Sequence, residues 1–187
     1  MALSKPIIKS LSFYLNQQYE HPLRTAALTC ATVAISGNVA YQKLAGIRPI
    51  DLRSILSFGA FGLCFSSICH TTFFNFLEWA APEEASFSIC RRLILERLIY
   101  FPLYKAWALY MVARFEGKSS EVALDEVKAL LPTLLISSLK YLTITQLLNL
   151  LLVPSVFRIF GHYLTAFVWT IYFAHVRRQY EQKKKNK

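Results

Sequence analysis

Oily and polar positions divide this chain into long apolar blocks separated by short charged gaps. The longest block, Gln146 to Tyr172, reads QLLNLLLVPSVFRIFGHYLTAFVWTIY. A bilayer core about 30 Å thick needs roughly 20 apolar residues at 1.5 Å rise. This run is therefore too long and too sparsely charged for an ordinary soluble core helix. Val153-Pro154 interrupts it, because the residue before a proline is pushed out of the α region. The pattern predicts two helices meeting at a bend. The first carries Gln146 and Asn149 on one face. The second starts near Ser155, holds Arg158 in its first turn and reaches Trp169 and Tyr172.

The blocks before it follow the same grammar. Over residues 6–20, Ile7, Ile8, Leu11, Tyr14, Leu15 and Tyr19 recur at near-helical spacing, which predicts an amphipathic helix lying in a membrane interface and ending at His21-Pro22. The first span is expected over Thr25–Leu44. In it Ala26, Cys30, Ala34 and Gly37 form a smooth stripe for close helix contact, and Asn38 and Gln42 lie one turn apart. Residues 45–53 read as a polar loop. The second span, Leu52–Leu77, contains the polar group Ser66, Ser67, Cys69, His70, Thr71 and Thr72, and ends at Glu78-Trp79. After a Pro82-Glu83-Glu84 loop, a third segment over Leu93–Ala113 carries Glu96, Arg97, Pro102 and Lys105. Residues 114–128 are the most hydrophilic stretch, where Ser119 or Ser120 can cap a short helix. The fourth segment is Ala129–Leu152, with Lys140 inside it, and the fifth is Val156–Val176.

Composition sharpens this reading. Of 187 residues 55% are hydrophobic, against about 45–50% in soluble domains, and the mean hydropathy is +0.36. The expected architecture is an all-α polytopic membrane bundle of about four transmembrane helices, an N-terminal interfacial helix and one partial or kinked apolar segment. Its expected divisions are an amphipathic helix at 1–23, the bundle at 24–176 and a basic tail at 177–187. The formal net charge is +10, much of it near the two ends, where basic residues favour a cytosolic membrane face. With both ends on one side the number of crossings is even. One segment is then partial or interfacial, and the third and fourth, which carry internal charge, are the candidates. The same placement, beside apolar spans rather than on a soluble recognition platform, argues against nucleic acid as the partner.

Cys30, Cys64, Cys69 and Cys90 show no C-x-x-C spacing and read as buried structural thiols. The phosphate-binding, nucleophile-elbow and zinc-protease motifs are missing, and the histidines His21, His70, His162 and His175 are scattered. Nothing in the pattern supports an enzyme, a metal centre or a cofactor. The informative feature is polarity inside apolar spans, at Asn38, Gln42, His70, Glu96, Arg97, Lys140, Gln146, Asn149 and Arg158. Intramembrane polar groups point by default to a path for solutes. The plainer reading is helix-to-helix hydrogen bonding at about 0.6–2 kcal/mol per contact. For His70, a pH-sensitive pore position competes with a simple inter-helix hydrogen bond. Sequence alone leaves pore and glue open.

One set of these residues matches a known pattern. Gln146, Asn149, Val153, Pro154 and Arg158, followed by Trp169 and Tyr172, fit Q-x-x-N-F-x-x-V-P-x-x-x-R with a later W-x-x-Y, the Phe being Leu150 here. Upstream, Tyr14, His21, Pro22, Thr25, Gly37, Asn38 and Gln42 fit as well. His70 and Phe73 keep part of a third element, and Glu96, Arg97 and Pro102 a fourth. Over about residues 14–175 the chain resembles the peroxisomal membrane protein 2 and Mpv-seventeen family of small organelle membrane proteins. Asn38, Arg97 and the phrase Phe115-Glu116-Gly117-Lys118 look closer to its peroxisomal branch. The resemblance implies a four-span peroxisomal membrane protein with both ends cytosolic, forming a weakly selective channel for small solutes. It also implies self-association, and delivery by a cytosolic import receptor for peroxisomal membrane proteins. Other branches imply a non-conducting scaffold or regulator in the mitochondrial inner membrane.

Overall fold

His21-Pro22 breaks the first helix because proline cannot donate to the preceding turn. Helix α1 spans Ser4–Glu20 and α2 spans Pro22–Leu44. In the computed structural model, which describes residues 4–82, 87, 91, 94–153 and 158–186, all regular structure is helical. Helix α3 is Leu52–Phe61, capped by Asp51, whose carboxylate accepts from the Ser54 N–H at 3.1 Å. A wide π-helical turn at Gly62–Ser66 joins it to α4, Ser67–Ala80. A second wide turn, Glu96–Tyr100, leads into α5, Phe101–Phe115. Helix α6 is Ser120–Leu152 and α7 is Arg158–Lys185.

Contacts fix the directions of these rods. Gly37 lies against Thr170, and Tyr41 packs edge-on to His175 at 5.7 Å, so α2 and α7 run parallel. Asn38 meets Ser54 while Gly62 meets Cys30, so α3 and α4 descend antiparallel to α2. Phe73 stacks on Tyr100 at 4.1 Å, and the Ser66 and Tyr104 hydroxyls are 3.0 Å apart, which returns α5 upward. The Ser137 and Tyr172 hydroxyls, 2.7 Å apart, set α6 antiparallel to α7. The core lies where these rods meet, at Tyr41, Phe58, Leu109, Val112, Leu134 and Phe173. Phe58 and Phe173 meet edge to face at 5.5 Å.

The described helices make five alternating passes of the bundle, the third of them opening on the wide turn at Glu96–Tyr100, so residues 22 and 185 stand at opposite ends. Lys5 and Lys9, among the early basic residues, belong to α1, which sits outside the alternation. It folds back on α2, with Thr25 Oγ1 donating to Gln17 O at 2.9 Å and the Tyr14 and Thr29 hydroxyls 3.3 Å apart. Of the two segments that were candidates for stopping short, the fourth lies in α6, which at 33 residues is about 50 Å long at 1.5 Å rise. It takes in the hydrophilic stretch from Ser120 onward and the fourth apolar segment, and Pro132 is carried inside it. The Val153-Pro154 bend falls largely outside the described residues, with α6 ending at Leu152 before it. Among the described residues, no helix is long and apolar enough to cross a membrane.

The small-residue stripe does what its chemistry allows. A Cβ on Gly62 would stand 2.8 Å from Cys30 O and 2.9 Å from Ala31 Cα, both backbone atoms. A Cβ on Gly59 would instead meet the flexible end of Ile35. We expect Gly62→Ala to cost about 1–3 kcal/mol through overpacking. Gly59→Ala should be near neutral, since the helix gains about 0.5–1 kcal/mol from losing a glycine. Thermal melts of the two variants in detergent, followed by circular dichroism, check the difference.

Candidate functional site

At one end of the bundle the loops 45–51 and 116–119 and the last turns of α7 converge. They enclose a cavity of about 430 Å³ lined by Asn38, Gln42, Asp51, Glu116, Lys118, Glu126, Arg177, Arg178 and Glu181, with Tyr41 and Phe58 among its apolar walls. Helical spacing builds the amide side. Asn38 and Gln42 are four residues apart on α2, and Gln42 Nε2 donates to Asn38 Oδ1 at 2.8 Å. The Gln42 amide then grips the Asp51 backbone twice, donating to its carbonyl at 3.0 Å and accepting from its N–H at 2.7 Å. Asn38 Nδ2 donates to Ser54 Oγ at 3.1 Å. Both amides are buried, and their bonds tie the end of α2 to the start of α3.

The ionic side joins α5, α6 and α7. Arg177 donates to both oxygens of Glu116 at 2.8 Å and through Nε to Glu126. Lys118 Nζ donates to Glu126 Oε2 at 2.8 Å and to Glu181 Oε1 at 2.6 Å, and stands 3.1 Å from Glu116. Glu126 is 1% and Arg177 3% exposed, so each charge depends on the other. Arg178, 3.7 Å from Asp51, links this network to the amide side. Positive φ at Gly117 (+76°) lets the α5–α6 turn close.

The charges hold one another ionised. Burial opposes ionisation of Glu116, but hydrogen bonds and charge from Arg177 and the nearby Lys118 outweigh it and keep its carboxyl below the usual 4.5. Burial and the Arg177 charge act against the Lys118 ammonium, yet its bonds to Glu126 and Glu181 and the charge of Glu116 carry it above 10.5. Burial also disfavours charge on Arg177, and its two carboxylates more than reverse that.

The residues expected from sequence are dispersed. Asn38 and Gln42 lie in the site. Arg97 is buried in the other half of the bundle, with its guanidinium carbon 4.4 Å from the Phe101 ring centre, and Glu96 beside it is partly buried. Lys140 is exposed on α6. The side chains of His70, Gln146, Asn149 and Arg158 lie outside the described residues. Sequence reading passed over Asp51, Glu116, Glu126, Arg177 and Glu181 as candidates. The one signal for them was the phrase Phe115-Glu116-Gly117-Lys118. Among the described residues no group of His, Cys, Asp or Glu could hold a metal ion.

Residues 113–174 match the Mpv17 / PMP22 family, a segment that includes Glu116, Lys118 and Glu126. The chain is 29% identical to the peroxisomal membrane protein PMP22 of Arabidopsis thaliana over 174 residues, 92% of each chain. It is 23% identical to peroxisomal membrane protein 2 of Bos taurus over 173 residues, 89% of this chain and 88% of that one. It is 24% identical to the mitochondrial inner membrane protein Mpv17 of Caenorhabditis elegans over 159 residues, 85% and 88% of the two chains. No solved structure matches.

Two outcomes follow from the network. Arg177→Met leaves Glu126 buried without its guanidinium and should cost about 3–5 kcal/mol. Adding Glu126→Gln should recover part of that loss, and thermal melts of the single and double variants check it. Glu116 has a depressed pKa, so its contribution is full above 4.5 and fades as pH falls through the lower folded value. Lys118 has a raised pKa, so its contribution is full below 10.5 and fades as pH rises through the higher folded value. Melting temperature plotted against pH should therefore plateau between these limits, and Glu116→Gln should flatten its acid side.

Proposed function

Because the chain carries an Mpv17 / PMP22 family domain, we propose that it is a weakly selective channel for small solutes in the peroxisomal membrane, with the polar cavity as one mouth. The observation that carries this reading is an inverted distribution of polarity. Leu28, Leu56, Ile68, Leu98, Leu103, Ile136, Leu164 and Val168 face outward, while Asn38, Gln42, Arg97, Lys105, Glu126 and Arg177 are buried. Water disfavours so broad an apolar exterior, whereas lipid accepts it. Polar interiors in such bundles face partners or hydrated paths. Trp79 and Trp107 on the exterior suit membrane interfaces.

Peroxisomal placement draws support from the two peroxisomal relatives. In this reading the protein is inserted as a multi-pass chain, is handled by a cytosolic import receptor that reads basic and apolar elements, and self-associates. The reading assigns no reaction and no cofactor.

One observation favours a second reading. The Asn38–Gln42 amides and the Glu116–Glu126–Arg177–Lys118 charges bond to one another, which suits a sealed bundle. A non-conducting scaffold or regulator in the mitochondrial inner membrane would look like this, and a mitochondrial relative exists.

Reconstituted in planar bilayers, the full chain should show discrete conductance, and folded but silent protein would refute the channel. A fluorescent fusion should overlap peroxisomal and not mitochondrial markers; the reverse pattern would move the assignment to the scaffold.

A further inference from the structure

The cavity at the polar end has more cationic donors than its acids use. In its wall Arg177 and Lys118 donate to Glu116, Glu126 and Glu181. Asp51 accepts from the Ser54 N–H. Every acid of the wall therefore has a donor. Three further cations, Arg53, Arg178 and Lys184, line the same space. Arg53 and Lys184 are exposed, and their side chains make no hydrogen bond or ion pair among the described residues. The Arg53 guanidinium lies against Gly117 in the α5–α6 turn. Arg178 is part-buried, and its contacts are loose. Asp51 and Glu181 each stand 3.7 Å from its Nη1, beyond hydrogen-bond reach. Its Nε is covered and has no acceptor. Nε and Nη2 share the guanidinium edge that offers two parallel N–H groups, so the fork of Arg178 is the part left unused.

We propose that this cavity binds the phosphate group of a phosphomonoester, with the Arg178 fork on two of its oxygens and Arg53 and Lys184 at its rim. A phosphomonoester carries close to two negative charges near neutral pH and three strong acceptor oxygens. A guanidinium meets two of those oxygens at once, whereas an ammonium meets them as a point charge. Asp51 and Glu181 occupy the Nη1 corner, so the guest takes the opposite edge. Turning onto that guest gives the covered Nε the acceptor it lacks. The room suffices, since about 430 Å³ falls within the roughly 300–1,000 Å³ of small-molecule sites. The phosphate belongs either to a lipid headgroup at the membrane surface or to a soluble metabolite, and its chemistry at Arg178 is the same. The site goes beyond the channel reading and does not need conduction.

Inorganic phosphate is the first probe. At neutral pH the full chain in nonionic detergent should melt several degrees higher in phosphate than in sodium chloride of equal ionic strength. Equal melting in the two salts would mean screening alone and would overturn the site. Arg178→Lys keeps the charge and loses the fork, and should weaken the phosphate effect several-fold. Arg178→Gln should nearly abolish it, and Arg53→Gln should reduce it. Lys43→Gln removes an exposed cation outside the cavity wall and should leave it unchanged. A phosphate effect that survives Arg178→Gln, or that falls as far in Lys43→Gln, would overturn the site. If Arg178→Gln does not fold, Arg178→Lys is held to the same criterion. Glycerol 3-phosphate and phosphatidic acid carry one headgroup without and with acyl chains. Stabilisation by glycerol 3-phosphate assigns a soluble guest. Stabilisation by phosphatidic acid over phosphatidylcholine in mixed micelles, with glycerol 3-phosphate inert, assigns a lipid. Failure of both would overturn the phosphomonoester. A chain silent in bilayers yet stabilised by phosphate loses the channel and keeps this site; a conducting chain indifferent to phosphate does the reverse.

Discussion

A carboxylate taken out of water must bring its counter-charge with it, and the polar end of this bundle is arranged around that necessity. Glu126 sits in the first turns of α6 with almost no exposure, and Arg177 reaches it from α7. The same guanidinium closes a two-pronged contact on Glu116 at the end of α5. Lys118 completes the circuit from the intervening turn. Three rods are thereby held in one register at this end. Bidentate pairing fixes angle as well as distance, so the network specifies geometry beyond what oily packing can.

The amides of α2 perform a related task by neutral means. Gln42 uses both its donor and its acceptor on the backbone of Asp51, and that residue in turn caps α3. A side-chain amide standing in for a strand-like partner satisfies groups that the loop would otherwise leave bare. Outside these polar clusters the bundle relies on close approach and aromatic contact, with Gly62 against Cys30 and Phe73 on Tyr100. The exterior is left apolar, which is why the same residues that look misplaced for water suit a lipid setting.

The helices were legible because their signals are local. Proline at 22, the Arg48-Pro49-Ile50-Asp51 loop and the apolar periodicity each act within a few residues, and α2, α3 and α7 begin or end close to where they were expected. The small-residue stripe also announced itself, since Gly37 and Cys30 do lie at helix contacts. The ionic network was not legible. Glu126 looked like one more acid in a hydrophilic stretch, and Arg177 like the first residue of a solvated tail. Their pairing spans 51 positions, and spacing carries no information at that range. The even count rested on basic residues at the two ends, but Lys5 and Lys9 lie on α1, which precedes the alternating helices and folds back on α2. Asn38 and Gln42 were found, with a path and helix-to-helix bonding both left open for their polarity. Much of it is spent on Asp51 and Ser54.

The sequence separations within the ionic network have a bearing on how the molecule comes into being. Glu116, Lys118 and Glu126 leave the ribosome 51 to 63 positions before the partners on α7 that complete them. Until those partners emerge, Glu116 and Glu126 lack the Arg177 guanidinium that binds them both. A nascent chain therefore cannot lock this end piece by piece, because such long-range contacts form only after the intervening loop has closed. This end of the bundle therefore closes only when α7 has been made.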